Sequence, residues 1–404
     1  MHRGNPPRLR PLAILQLLFL AFSSAGCVPG VGWLPDSSGF VYTAGKNNTQ
    51  LALYDLVKGE PHVLVEDTGA GTYWPAVSPD GQRLAVAKLT MTKGRKQTTL
   101  QVVLYSRAGK ELKRSKVFDW MELEHAATSA TETDRRVGLP QLFWAPKGDK
   151  IIVHAAGYTA IYEVKADRLV HAGAGTLLSF GGTPVRPDGA GFLIMKNAER
   201  WVGWWNQKAN GKKGNPDPGF TFVDWHGKER PLKPPAFLFD AAALEKEKDA
   251  NKLVGLLCPA LYDSGWEGEV ARVSWNVDRL RYLTSRGEAV VDHIKPDKTE
   301  DGLLVKQRYR FPGTLTQLRF VVTRWDDKKP ENAGPVRVEV LKAGRKKPQV
   351  ILDKIEGYVL IPAPNRKLVA LRTAFLGGKG PKDREQVIIV NDKGEVVAQV
   401  PIDR

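Results

Sequence analysis

Cysteine is almost absent from this chain: Cys27 and Cys258 are the only two among 404 residues. Two thiols cannot supply a closed thiolate zinc site or a disulfide framework. Histidine is nearly as scarce, with seven residues scattered along the sequence. No His-Glu-x-x-His pair marks a zinc helix, and no Gly-x-Ser-x-Gly elbow marks a hydrolase nucleophile. No glycine loop closed by Lys-Ser or Lys-Thr offers a phosphate cradle. No catalytic residue, metal-ligand set or cofactor is therefore assigned. Long apolar runs are missing too. The longest, Leu12–Phe22, is too short to span a bilayer, which excludes a transmembrane helix elsewhere in the chain. Acidic residues are also in deficit, 44 against 60 basic ones, for a net charge of +16.

The first 26 residues read as a leader. Arg3, Arg8 and Arg10 precede the apolar run, and Ser23, Ser24, Ala25 and Gly26 follow it as small residues. That order is a secretory signal peptide. Ser-Ala-Gly followed by Cys27 resembles the bacterial lipobox, which implies acylation of Cys27 and a membrane anchor through its lipid. Ser24 stands where that pattern more often has Leu. The expected location is then the envelope, with the protein facing the periplasm or the cell surface. Ordinary cleavage would instead leave a soluble periplasmic or secreted protein. An acylated Cys27 leaves Cys258 as a small buried hydrophobe, whereas a free Cys27 leaves a disulfide to Cys258 open.

Export bears on the charge. Basic clusters at Lys93–Lys96, Lys208–Lys213 and Arg345–Lys347 lie in Gly- and Asn-rich, loop-like sequence. Nucleic acid is not the expected partner of an exported chain. An anionic lipid or wall polymer fits better, and solvated turn tips need no partner at all.

What the sequence has in abundance is one phrase. Tyr73–Ala87, YWPAVSPDGQRLAVA, reads as a strand, a turn at Ser78-Pro79-Asp80-Gly81 and a second strand in which Leu84 and Val86 alternate with alanines. The phrase returns as WLPDSSGFVY from Trp33, WAPKGDKIIV from Trp144 and VRPDGAGFLI from Val185. Weaker copies begin at Trp275, Phe311 and Ile361. Each copy starts on an apolar residue and has another seven positions on: Phe40, Leu84, Ile151, Phe192, Tyr282, Leu318 and Leu368. Further strand pairs follow several copies, as in Gln101–Phe118 and Gln386–Ile402, so one unit is a four-stranded meander. Such a unit cannot cover both of its apolar faces alone and must stack on its neighbours.

The W-x-P-D-G phrase resembles the repeat of TolB-type propellers, relatives of the WD-repeat family. The resemblance runs from about Trp33 to the end of the chain. It implies an all-β fold: a single β-propeller of four-stranded antiparallel blades over residues 27–404, with blade starts near 33, 77, 144, 185, 275, 311 and 361. Length favours seven blades, with six and eight left open.

Three irregularities stand out. Residues 119–138 carry Glu122, Glu124, His125, Glu132 and Asp134, whose spacing matches no ligand pattern and reads as a solvated loop. Asp240–Asn251 reads as a helical insertion, with Asp240 as N-cap. Trp201, Trp204, Trp205, Trp225 and Trp266 could form a ring-stacking platform for a sugar or peptide, or could fill the core.

Two functions follow. The main expectation is a non-enzymatic protein-binding or scaffold module at the envelope. The alternative is an envelope enzyme acting on carbohydrate or peptide in the central funnel, for which two facing carboxylates would be the mark of a glycosidase.

Overall fold

The computed structural model describes residues 30–45, 48–68, 74–91, 98–120, 140–155, 158–174, 176–177, 184–186, 188–196, 219–232, 265–267, 270–276, 279–284, 289–293, 299, 301–324, 335–342, 345, 347–355, 357–374 and 385–402; across 265–293 it describes the backbone alone. Apart from single helical positions at Asn48 and Trp120, the regular structure among these residues is all strand. The expected helix at Asp240–Asn251 lies outside them.

The strands form seven antiparallel sheets, each a meander of consecutive strands. The first runs Val31–Trp33, Gly39–Ala44, Gln50–Asp55 and Glu60–Val65. The second adds a fifth short strand, Phe118–Asp119, beside Thr98–Ser106. Alternation within each strand sends apolar side chains to both faces, so a sheet has two faces to hide.

Each core is shared by two sheets. Val41 and Leu51 of the first sheet pack with Leu84, Val86 and Val103 of the second. The other face of the second, with Ala85, Val102 and Leu104, meets Ile151, Val153 and Tyr162 of the third. Ile152 and Ile161 of the third then meet Phe192, Ile194 and Val223 of the fourth. Phe320 and Val338 of the sixth pack with Leu371 and Ile388 of the seventh. The remaining face of the seventh, with Ala370, Val387 and Ile389, meets Trp33, Phe40 and Tyr54 of the first. A chain whose last sheet covers its first is a ring, and the fold is propeller-like and all-β.

The repeated phrase has a fixed geometry. Four residues bracket it with two backbone bonds: Leu34 donates to Gly39 and Ser37 to Leu34; Ser78 to Arg83 and Gly81 to Ser78; Ala145 to Lys150 and Gly148 to Ala145; Arg186 to Gly191 and Gly189 to Arg186. The fourth turn position has positive φ in each, carried by Ser37, Gly81, Gly148 and Gly189. Ala363 and Arg366 repeat the pattern in the seventh sheet. There the pair matching Trp33–Phe40 is Pro362–Val369, one residue after Ile361. The Trp275 copy differs more. Trp275 lies in Val270–Asn276, the second strand of the fifth sheet, so its phrase spans the second and third strands rather than the first turn.

Trp144 is 7% exposed and donates Nε1–H to the Ala76 carbonyl of the preceding sheet at 3.1 Å. Trp33 does the same to Ile361 at 2.9 Å, which ties the first sheet to the last. Arg372 completes that seam. It is fully buried on the seventh sheet, with Nε 2.7 Å from Glu385 Oε1. Its other nitrogens donate to the carbonyls of Gly30 and Thr43 on the first sheet at 3.2 and 3.0 Å.

Removing one member of a buried pair leaves the other charged and unpartnered, at a cost of about 3–5 kcal/mol. Arg372→Met is therefore expected to lower the urea midpoint by that equivalent, while Arg366→Gln, on an exposed turn tip, stays within about 0.5 kcal/mol of the parent. Equal midpoints for the two variants would contradict the seam.

Candidate functional site at the channel mouth

The two ends of the ring are unlike. The turns between first and second strands, such as 34–38, 78–82 and 145–149, are short and gather at one end. The connections between sheets, and between second and third strands, belong to the other end. These include the long stretches 197–218, 233–264, 323–335 and 375–385. Functional groups collect where long connections surround a rigid scaffold.

Trp74 stands at that second end, just before the first strand of the second sheet, Ala76–Val77. It forms an isolated bridge with Gln141, the first residue of the third sheet. Its ring is 6.3 Å from that of Phe143 in the third sheet. It also packs against Val359 of the seventh sheet, beside Ile361. The indole lies so close over Gly30 that a β-carbon there would sit 2.2 Å from its ring atoms. The third and seventh sheets are not neighbours, since the first and second lie between them. One side chain can touch both only by crossing the central channel. Trp74 is thus a half-buried floor near one end of the channel.

The polar groups around this floor are already engaged. Glu385, 3% exposed in its side chain, is held by Arg372. His154 shares the register row of Gln141 and Thr159, and its Nδ1 is 2.9 Å from Thr159 Oγ1. Part of the residue's surface is open, yet packing around the ring pushes its pKa down to about 4. His154 is neutral near pH 7. The mouth can therefore grip an apolar or planar group, but these residues offer it no general acid. Among the described residues no three His, Cys, Asp or Glu side chains gather as a metal site.

The residues singled out from sequence fare unevenly. Cys27, Cys258, the acidic stretch Glu122–Asp134, Trp201, Trp204, Trp205 and the clusters Lys93–Lys96 and Lys208–Lys213 lie outside the described residues. Trp266 sits on the strand Gly265–Glu267. Trp225 is no platform: it packs on Phe192 with centroids 5.7 Å apart and donates Nε1–H to Gly189 at 2.6 Å. Arg345 and Lys347 are exposed on the turn joining the third and fourth strands of the sixth sheet. Trp74 was not expected as a functional residue, although a Trp-Pro pair directly before the clearest repeat marks a constrained position.

No protein-family model matches the chain, and no curated protein does. Solved structures do resemble it. One is dipeptidyl peptidase 4 of Porphyromonas gingivalis, at 10% identity and a TM-score of 0.46, covering 99% of this chain and 62% of that one. Another is a prolyl endopeptidase, at 12% identity and a TM-score of 0.49, covering 97% of this chain and 54% of that one. The chain spans between half and two thirds of the length of these two proteins. Both are peptidases, and this corrects two expectations: the non-enzymatic protein-binding or scaffold role, and the assignment as no enzyme.

His154 gives a pH test of the mouth. Its folded pKa, about 4, lies below the ordinary 6.5. Between these values the unfolded chain binds more protons, so stability rises with pH across this window, by at most about 1.4 kcal/mol per unit from this group. Denaturation midpoints at pH 5 and pH 7 are expected to differ less in His154→Gln than in the parent. An equal difference would show that the ring is solvated.

Proposed function

We propose that this protein is an envelope enzyme of the peptidase kind whose propeller holds its peptide substrate at the channel mouth, against the ring of Trp74. The seven sheets are read as the seven blades of one TolB-type ring. The observation that carries the proposal is the reach of Trp74 from the second sheet across to Phe143 and Val359. Sugar sites surround their indole with polar side chains, whereas this one is framed by Phe143, Val359 and Gly30. An apolar frame suits the side chains of a peptide, including the flat ring of proline. The first strands of the sheets border the channel with their outer backbone edges, which adds hydrogen-bonding groups for an extended chain.

The test is binding and turnover with a mixed library of short peptides, beside a matched set of oligosaccharides, read by calorimetry and by mass spectrometry of products. Trp74→Ala is expected to weaken peptide binding at least about tenfold, the usual cost of losing an aromatic anchor. Trp74→Phe, which preserves the packing, should fall between. Binding of oligosaccharides instead of peptides, or peptide affinity indifferent to both substitutions, would overturn the proposal.

The location follows from the leader. Acylation of Cys27, after removal of residues 1–26, would fix the protein to a membrane, with three residues between the lipid and the ring at Gly30. Cys27→Ser is expected to move the protein from the membrane to the soluble fraction of cells. Unchanged partitioning would rule out the anchor.

A further inference from the structure

Two glycines open the first sheet, Gly30 just before the strand Val31–Trp33 and Gly32 within it. Alternation turns both positions to the same face, so that face of the strand is bare backbone. Opposite them runs Trp74-Pro75, the lead-in to the second sheet. A β-carbon on Gly30 would sit 2.2 Å from both Cδ2 and Cε2 of Trp74 and 2.7 Å from Cε3. Cδ2 and Cε2 form the ring fusion, so the indole lies with its face on Gly30. A β-carbon on Gly32 would sit 2.6 Å from the Pro75 carbonyl oxygen.

Neither glycine has a positive φ. The backbone therefore tolerates alanine at both positions, and only the facing segment excludes it. What faces them differs. At Gly32 the nearest obstacle is main chain, which no side-chain substitution removes. At Gly30 the three nearest atoms all belong to the indole. Gly30 is buried and is itself held in place. Its carbonyl accepts from Arg372 Nη1 at 3.2 Å, and Arg372 Nε lies 2.7 Å from Glu385 Oε1. The bed under the indole is thus tied to the seam between the first and seventh sheets. The ring also meets Phe143, at 6.3 Å between centroids, and Val359. A ring held from three sides is set in one orientation before a ligand arrives.

We propose that Gly30 is a positioning residue of the channel mouth: the missing side chain sets the depth and tilt of Trp74 and so decides which ligands the ring can accept. The inference rests on the reading of Trp74 as the ring that holds a peptide, and it adds a second residue to that site. Gly30 acts through the indole and not by touching the ligand.

A double-mutant cycle in the full chain tests this. Gly30→Ala and Gly32→Ala are each made beside Trp74 and beside Trp74→Ala, with Trp74→Val in its place if that chain does not fold. Melting temperature is read together with affinity for the tightest-binding member of the short-peptide library. Beside Trp74, Gly30→Ala is expected to lower the melting temperature and to weaken peptide binding at least about tenfold. Beside Trp74→Ala the space over Gly30 is empty, and the same change should alter neither. A Gly30→Ala chain that folds only beside Trp74→Ala is that result in stronger form. Gly32→Ala should lower the melting temperature equally in both backgrounds. Equal losses from Gly30→Ala in both backgrounds, or relief of Gly32→Ala as well, would overturn the seat. A melting loss confined to the Trp74 background, with peptide affinity unchanged, would overturn the positioning role and leave the peptide reading standing. If no peptide binds the parent, the peptide reading falls, and the melting cycle alone upholds or overturns the seat.

Discussion

The buried guanidinium of Arg372 stands where the chain's end meets its beginning. Contacts between successive sheets can form in chain order, each sheet finding the next as it is made. The contact that closes the ring cannot, because it joins elements more than three hundred residues apart. Closing so long a loop costs entropy that a purely apolar surface would have to offset without directional help. Arg372 supplies direction. It reads the backbone of Gly30 and Thr43 and is neutralised by Glu385. Trp33 and Asn365 add bonds across the same seam, to Ile361 and Ser37. Buried ion pairs are poor sources of net stability but good devices for fixing one arrangement among many. That is the role the geometry gives this one: it specifies which sheet lies next to the first.

Closure also accounts for the site. Only a ring has a channel, and only a channel lets Trp74 touch the third and seventh sheets together. The short first turns among the described residues, outside the fifth sheet, are closed by the same two backbone bonds and leave little room for insertions at their end of the ring. The longer connections therefore fall to the other end, where the indole forms a floor. Short turns at one end and longer connections at the other make a scaffold in which a site can be built without disturbing the sheets.

Much of this was legible in the sequence, and the failures are instructive. The Pro-Asp-Gly turns are visible because Pro, Asp and Gly each act locally, on φ, on the downstream backbone and on the left-handed position. Arg366 occupies that left-handed position without being glycine, which is why the seventh repeat looked worn although its backbone is intact. The Trp275 phrase misled for another reason. Apolar residues seven apart arise across any hairpin, so spacing alone cannot tell the first turn from the second. Trp225, for which the sequence left platform and core both open, packs beside Phe192. Trp74, taken for an ordinary lead-in, reaches across the channel. Which way a tryptophan faces depends on neighbours far away in sequence. Arg372 did leave a trace: a lone charge in the run LVALRTAF needs a buried partner. The partner, thirteen residues on, could not be read from the run itself.

The claim on which everything rests is that the first and last sheets pack face to face in one molecule. It can be tested by replacing Ser37 and Asn365 with cysteine in a chain whose Cys27 and Cys258 are serine. The backbone nitrogen of Asn365 lies 3.2 Å from Ser37 Oγ, so the turns approach closely. Mild oxidation should give a monomeric, internally bridged chain, seen as a faster band on a non-reducing gel and a loss of two hydrogens by intact mass. Free thiols, or bridges formed only between molecules, would mean that the ring does not close.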